Sequence, residues 1–482
     1  MTLADGLALP LGFAIFLFLT RRLGPAGYGL YTLAATLVIW VEVTIATLFE
    51  RAVIKLAGES ADWRPVGTAV LRLYLGAGTA AALLLVLLAR PISLLLGEPS
   101  LASHLALFAL DIPLCSLAYA HRGLLVGVGD FRGRARSTAA RWVVKLLLVL
   151  VLVELGLSIT GAIVGTILSS AAELVAARRG IRPRLWGSGG LPLRRFLDYA
   201  LVLFLLAACL RIFSALDILL FKALGASASQ AGVYGAAKNL ALYPVLLGGA
   251  LSSVLLSTLN RAVARGERDL AMKLARSSLR TFFWLLPVAA LTAVAADEIT
   301  DLLLGGGFGG AGRVLSILIV GAAAQHLLAI CNAIQIAGGH ARTALTLVAP
   351  MIPVSAAGYL LLVPGLGAAG AALSWAATLL LAAAASAGAV RRQWSILPHA
   401  GSVWRGLLTA AVVAAAAAWW PAAGWWRAVK LVTLGGAVPL LLLILGEFSP
   451  TDMAVFRGAL KGRRREGDPG RGPRDGFRPG SV

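Results

Sequence analysis

The chain has 482 residues, of which 59% are hydrophobic and only 13% charged, with a formal net charge of +21. Soluble domains carry about 25% charged residues, so this composition excludes an ordinary soluble fold. The strict apolar–polar alternation of a transmembrane barrel is also missing, which leaves an all-α integral membrane protein.

Apolar runs long enough to cross a hydrocarbon core recur from end to end, and about fourteen of them can be marked out. The first, Leu3–Thr20, lacks a basic leader and a small-residue cleavage site, so it reads as a retained helix. The second is Leu30–Phe49, and the series continues through Ile159–Ala177 as the sixth and Ala368–Val390 as the twelfth. Basic residues collect after even-numbered segments. Arg51, Lys55 and Arg64 follow the second, Arg132, Arg134 and Arg136 the fourth, and Arg178, Arg179, Arg182 and Arg184 the sixth. The other connections are poor in Lys and Arg and hold Glu98, Asp297, Glu298 and Asp301. Positive loops stay inside, so both termini are expected to be cytoplasmic; Arg21 and Arg22, at the outer end of the first segment, break the pattern.

The two halves echo one another. Leu23-Gly24-Pro25-Ala26-Gly27-Tyr28-Gly29 returns as Leu224-Gly225 followed by Ala231-Gly232-Val233-Tyr234-Gly235. Leu94–Gly97 matches Leu302–Gly305, Gly127–Asp130 matches Ala337–His340, and Gly161-Ala162 matches Gly370-Ala371, all at offsets of about 206 to 210. A parallel repeat in a membrane chain predicts two lobes around an axis along the membrane normal. The expected organisation is a six-helix lobe at 1–190, a second at 191–395, two further helices at 396–448, and a basic, Gly- and Pro-rich tail at 449–482 that is too polar to fold. Paired tryptophans at 419–420 and 425–426 mark an interfacial belt.

The segment Arg22-Leu23-Gly24-Pro25-Ala26-Gly27-Tyr28-Gly29-Leu30-Tyr31 resembles the signature after the first helix of Wzx-type flippases for polysaccharides and lipid-linked oligosaccharides. These belong to the multidrug/oligosaccharidyl-lipid/polysaccharide (MOP) exporter superfamily. The resemblance extends over the chain through segment number, six-plus-six repeat and two extra helices. It implies translocation of a polyprenyl-pyrophosphate-linked oligosaccharide across a bacterial cytoplasmic membrane by alternating access, with membrane lipids around it and a polysaccharide polymerase or glycosyltransferases as partners. By motif position it also implies that Arg21, Arg22 and Arg51 serve the pyrophosphate, through the paired hydrogen bonds that arginine makes to phosphate. The rival reading for Arg21 and Arg22 is interfacial anchoring.

Charges inside apolar runs are costly and face a cavity or a partner. Arg211 lies deep in the seventh segment and is expected either to line a cavity or to pair with Asp217. Lys145 and Arg141 share a face of the fifth; Lys145 is a second cavity candidate, whereas Arg141 is expected to snorkel toward the cytoplasm. Lys238 and Asn239 stand just inside the eighth. Glu42, Asp111 and Asp217 are candidates for H+ or Na+ coupling or for neutralising nearby arginines. Asn239, Gln325, His326 and Asn332 would contact sugar hydroxyls or bond neighbouring helices.

Other readings fall away. Cys115, Cys209 and Cys331 are far apart inside apolar segments, so no metal or disulfide framework is expected. Gly305–Gly310 lacks the Lys-Ser/Thr of a phosphate loop and reads as a flexible external connection. No nucleophile–base set is visible, so no catalysis and no cofactor is expected. The Arg/Gly tail suits anionic lipid better than nucleic acid. A multidrug cation antiporter and a lipid II-type peptidoglycan precursor flippase stand as alternatives.

Overall fold

The computed structural model describes residues 3–60, 62–185, 194–396 and 398–447. In chain order the helices are α1 (Leu3–Glu59), α2 (Arg64–Leu95), α3 (Leu101–Phe108), α4 (Asp111–Gly127), α5 (Phe131–Leu152), α6 (Ser158–Gly180), α7 (Arg194–Ala223) and α8 (Ala228–Ala264). There follow α9 (Arg268–Val294), α10 (Ala296–Leu304), α11 (Ala311–Ala337), α12 (Ala341–Val348), α13 (Met351–Trp394), α14 (Ala400–Trp419) and α15 (Trp426–Ile444). Among the described residues, nine helical stretches are long and apolar enough to cross a membrane.

Three of those stretches are broken by a glycine with positive φ: Gly24 (65°) in α1, Gly156 (90°) between α5 and α6, and Gly367 (55°) in α13. Only glycine enters that region without strain, so the chain bends there and helix resumes on the far side. Each break falls where the sequence expects a turn between two apolar segments. Elsewhere polar caps start the helices. Asp130 accepts from the Gly133 amide at 2.7 Å to open α5, and Ser227 with Gln230 forms a capping box at the start of α8.

Helices α1–α6 pack on one another and form a first bundle; α7–α13 form a second. The first joins the second mainly through α1, which lies against α7, α8 and α10. Small residues allow the closest approaches, as expected where lipid offers no hydrophobic drive between helices. A Cβ on Gly321 would meet the Trp375 ring at 2.7 Å, and one on Gly127 would meet Ala57 at 2.6 Å. Long apolar side chains such as Leu84, Leu87, Leu361 and Val432 point outward, where the acyl chains lie.

The last two helices pack on α9, and α15 also touches α10. At one end the buried Glu447 carboxylate accepts from Arg280, Trp284 and Arg405, all at 3.2–3.4 Å. At the other end Lys430 meets Glu298 at 2.7 Å and Arg427 meets Asp301 at 3.2 Å. The linker residues 186–193 and the tail from 448 onward lie outside the described residues.

Candidate functional site

A cavity of about 760 Å³ lies between α1 of the first bundle and α7, α8, α11 and α13 of the second. Its first-bundle wall is one stripe of α1: Tyr28, Thr32, Thr36 and Trp40 recur at helical spacing. Facing them are Arg211, Lys238, Asn239, Gln325, His326 and Trp375. Five residues singled out from different apolar segments thus meet around one space.

The two cations differ in their commitments. The Lys238 ammonium is 2.6 Å from Asp217 Oδ2, donates to the Ser214 carbonyl at 2.8 Å and lies 5.8 Å from the centre of the Trp375 ring. Asp217 is fully buried and also accepts from the Tyr234 hydroxyl at 2.9 Å and the Ile218 amide at 2.7 Å. The carboxylate is therefore well satisfied, and it neutralises the lysine. Arg211 is exposed and has no hydrogen bond or ion pair among the described residues. The expected alternative of an Arg211–Asp217 pair is not formed, because Asp217 is taken by Lys238. The fork of donors on a guanidinium matches carboxylate and phosphate, and Arg211 turns that fork toward the cavity.

Polar groups for a neutral ligand stand nearby. Asn239 Nδ2 donates to the Tyr28 hydroxyl at 2.8 Å, tying the two walls together. Among the described residues, Gln325 Oε1 and His326 Nε2 are buried without a hydrogen-bond partner. Asn332 Oδ1 is likewise partnerless, but Asn332 is not among the residues lining the cavity.

The cationic residues carried over from the signature lie elsewhere. Arg21 donates to the carbonyls of Leu302 and Leu303 at 2.8 and 2.9 Å, linking the two bundles at the Gly24 end. Arg22 pairs with Glu154 at 2.6 Å, with about half of each side chain exposed. The side chain of Arg51 lies outside those described.

The same end is closed by contacts that the sequence did not disclose. Gly29 lies so close to the Ala228 carbonyl, and Gly232 to the Pro25 carbonyl, that a Cβ on either would overlap backbone. Lys222, 5% exposed at its side chain, meets Glu98 at 2.9 Å. The Gly305–Gly310 connection, expected as a loose external loop, turns inward: Phe308 is 4% exposed and lies edge-on to Tyr28 at 6.4 Å. Signals existed for the glycines, which occur in both copies of the repeated phrase, but not for the lysine–glutamate partner.

The first bundle holds a second charged cluster. Glu173, which sequence reading missed, is fully buried and engages Arg141 at 3.0 Å and Arg122 at 3.5 Å. Arg141 thus does not snorkel; it turns inward to a carboxylate that no spacing rule connects to it. Lys145 lies 5.8 Å from the Trp142 ring, interacts electrostatically with Glu42 and Asp111, and does not line the cavity. Among the described residues no group of three or more His, Cys, Asp or Glu is placed to hold a metal ion.

The family described as "Polysaccharide biosynthesis protein" matches residues 18–310, more than half the chain and both walls of the cavity apart from α11 and α13. The chain belongs to this family. Among curated proteins no sequence matches it. Its fold is similar to that of a lipid II flippase MurJ in an inward closed conformation, at TM-score 0.76 and 13% identity, covering 92% of this chain and 97% of that one. An inward-facing multidrug resistance MATE family transporter of the MOP superfamily aligns at TM-score 0.63 and 14% identity, covering 81% and 94%. A MOP superfamily transporter from Pyrococcus furiosus, whose title reports "reverse polarity of binding pocket", aligns at 0.61 and 14%, covering 81% and 93%. The described residues therefore share the all-α fold of these MOP superfamily structures.

Proposed function

We propose that this protein is a flippase that carries a polyprenyl-pyrophosphate-linked oligosaccharide from the inner to the outer leaflet of a bacterial cytoplasmic membrane. The observation that carries the reading is Arg211, the cation of the inter-bundle cavity that no described residue neutralises. A pyrophosphate would seat on its guanidinium, with Lys238 close by as a cation already held in place. Gln325, His326 and Asn239 would meet the first sugars. A space of about 760 Å³ suits a ligand headgroup; the prenyl chain stays in lipid and distal sugars extend beyond it.

The lobes are residues 1–190 and 191–395. The basic loop ends face the cytoplasm, which puts the sealed Gly24 end outside. Alternating access would open that seal and close the opposite end.

A cationic cavity disfavours the multidrug cation antiporter. Lipid II is a narrower version of the same chemistry and is favoured by the extent of the likeness to MurJ. The test is translocation of a fluorescent lipid-linked oligosaccharide in proteoliposomes, with unlabelled lipid II as competitor and a cationic dye as a separate cargo. Lipid translocation that fails in Arg211→Ala supports the proposal. Dye efflux without lipid movement overturns it.

A further inference from the structure

Helices α1 and α8 meet at the apex of the cavity. They touch at Gly29 and Gly232, where a Cβ on either glycine would overlap the other helix's backbone. They touch again at Thr32 and Gly235, where a Cβ on the glycine would lie 3.0 Å from the threonine methyl. Further along, Thr36 and Trp40 of α1 and Leu242 and Leu246 of α8 line the cavity. The two helices thus form a wedge, closed at the seal and facing open space beyond it.

A polar contact crosses between the bundles inside this wedge. Asn239 Nδ2 donates to the Tyr28 hydroxyl at 2.8 Å, and both residues line the cavity. Tyr28 is 3% exposed, and the rings of Phe16 and Phe308 lie edge-on to it at 5.9 and 6.4 Å. Two other links join the bundles at the seal, from Arg21 to the Leu302 and Leu303 carbonyls and from Lys222 to Glu98. None of those residues lines the cavity. Of these links, the Asn239–Tyr28 bond is the one that a ligand in the cavity can reach.

We propose that Asn239 is a cargo sensor: an anionic oxygen of the bound headgroup takes the Asn239 amide from Tyr28, and the loss of that bond loosens the outer seal. The identity of the anion rests on the flippase reading.

Hydrogen-bond strength sets the direction of the exchange. The Asn239–Tyr28 bond joins two neutral groups, and a bond to an ionised acceptor is about twice as strong. Arg211 and Lys238 line the same cavity, and Asn239 follows Lys238 in the chain, so an anion drawn to the two cations arrives beside the amide. A sugar hydroxyl is a neutral acceptor like the phenol and gains nothing by the exchange. Asn239 therefore reads the charge of the headgroup and not the identity of the glycan.

The exchange also favours opening. Without its donor, the Tyr28 oxygen is left buried in the closed seal with one partner fewer, and a buried polar group that loses its partner costs more than a made bond contributes. In an opened seal the same hydroxyl meets water. Cargo thereby destabilises the closed form relative to the open one, which is the differential interaction that a ligand-driven change requires. In the absence of cargo the bond is intact and the seal stays shut.

The two partners of the bond should respond in opposite ways, which a purely structural contact would not produce. Binding of farnesyl pyrophosphate to the full-length protein in nanodiscs is read by calorimetry. Tyr28→Phe removes the bond and keeps the sensing amide, so the probe has no bond to break and should bind about two- to tenfold more tightly. Asn239→Leu removes the amide, and the probe should bind about fivefold more weakly, the difference between a charged and a neutral bond. Tyr28→Phe deletes a single oxygen and keeps the ring between Phe16 and Phe308, so the test stands even where Asn239→Leu fails to fold.

Spin labels on cysteines at Leu95 and Arg313, exposed at the outer ends of the two bundles, report the seal as a dipolar distance, with Cys115, Cys209 and Cys331 replaced by alanine. Farnesyl pyrophosphate should widen this distance in the labelled parent, and farnesol, which has the tail without the anion, should not. Tyr28→Phe should raise the wide fraction before any probe is added. Weaker binding in both variants makes the two residues ordinary contacts and overturns the sensor; unchanged binding in both, or widening by farnesol, also overturns it. Binding to the parent without widening removes the sensor and leaves the flippase reading in place. Failure of the wild type to bind the probe removes the flippase reading and the sensor with it.

Discussion

In the second bundle Asp217 receives Lys238, the Tyr234 hydroxyl and the Ile218 amide, whereas in the first bundle neither oxygen of Asp111 has a donor in hydrogen-bond geometry among the described residues. Both acids sit within helices of a membrane protein, and both have lysines close by. The difference is what each bundle leaves uncommitted. The second bundle satisfies its acid and leaves a cation, Arg211, facing open space. The first satisfies its arginines through Glu173 and buries two further acids, Glu42 and Asp111. The bundles are repeated in outline, yet one turns a positive charge toward a cavity and the other buries carboxyls beside a lysine.

The comparison breaks most visibly at Glu173. Glu173→Gln strands Arg141 and Arg122 in the interior, and losing one side of a buried ion pair costs about 3–5 kcal/mol. A large fall in unfolding midpoint in detergent is expected; a loss below about 1 kcal/mol would show that the arginines find water instead. Arg211→Ala probes the other side. Stability should stay within about 0.5 kcal/mol, because no described partner is lost. Affinity for a pyrophosphate-bearing lipid should drop by the worth of a charged hydrogen bond, about 1.5–3 kcal/mol, or about ten- to a hundredfold. Unchanged binding by titration would move the anion site elsewhere.

The seam between the bundles gives a third measurement. Gly29→Ala and Gly232→Ala each drive a methyl into the partner's backbone, an overpacking cost of about 1–3 kcal/mol in the closed form. Both should raise labelling of a cysteine placed at Tyr28 by a membrane-impermeant reagent added from the Gly24 side. If only one does, the contact is not shared equally. The smallest effect is expected from Arg22→Ala, since its pair with Glu154 is about half exposed and worth about 0–1 kcal/mol. A clear loss of stability there would mark the Arg22 pair as part of the seal.

What the sequence discloses here is what stands out against an apolar background. Arg211, Lys238, Asn239, Gln325 and His326 could be picked singly because polar groups in long apolar runs are costly, and the structure brings all five to one cavity. The turns were legible because Gly24, Gly156 and Gly367 occupy backbone states that suit glycine. Partnerships were not legible. Arg211 and Asp217 are six residues apart, which puts them on different faces at 3.6 residues per turn, while Lys238 reaches Asp217 from the neighbouring helix. Glu173 lies a few residues before Arg178 and Arg179 and resembles part of a basic helix end; only the packing of α4, α5 and α6 makes it the hub of two arginines. The glycine crossing was hidden for a similar reason, because a glycine beside a turn looks like a turn residue until a second helix is laid across it.

The anchoring of α15 has a mechanical consequence. Glu447 ties the end of this helix to α9 and α14, and Lys430 and Arg427 tie its start to the acidic residues of α10. Fastened at both ends, the last two helices are held to the second bundle as one body. The exposed tryptophans at 419, 425 and 426 lie between α14 and α15 and so move with them. Any displacement of the second bundle would therefore be carried to this flank, and its tryptophan row would report it.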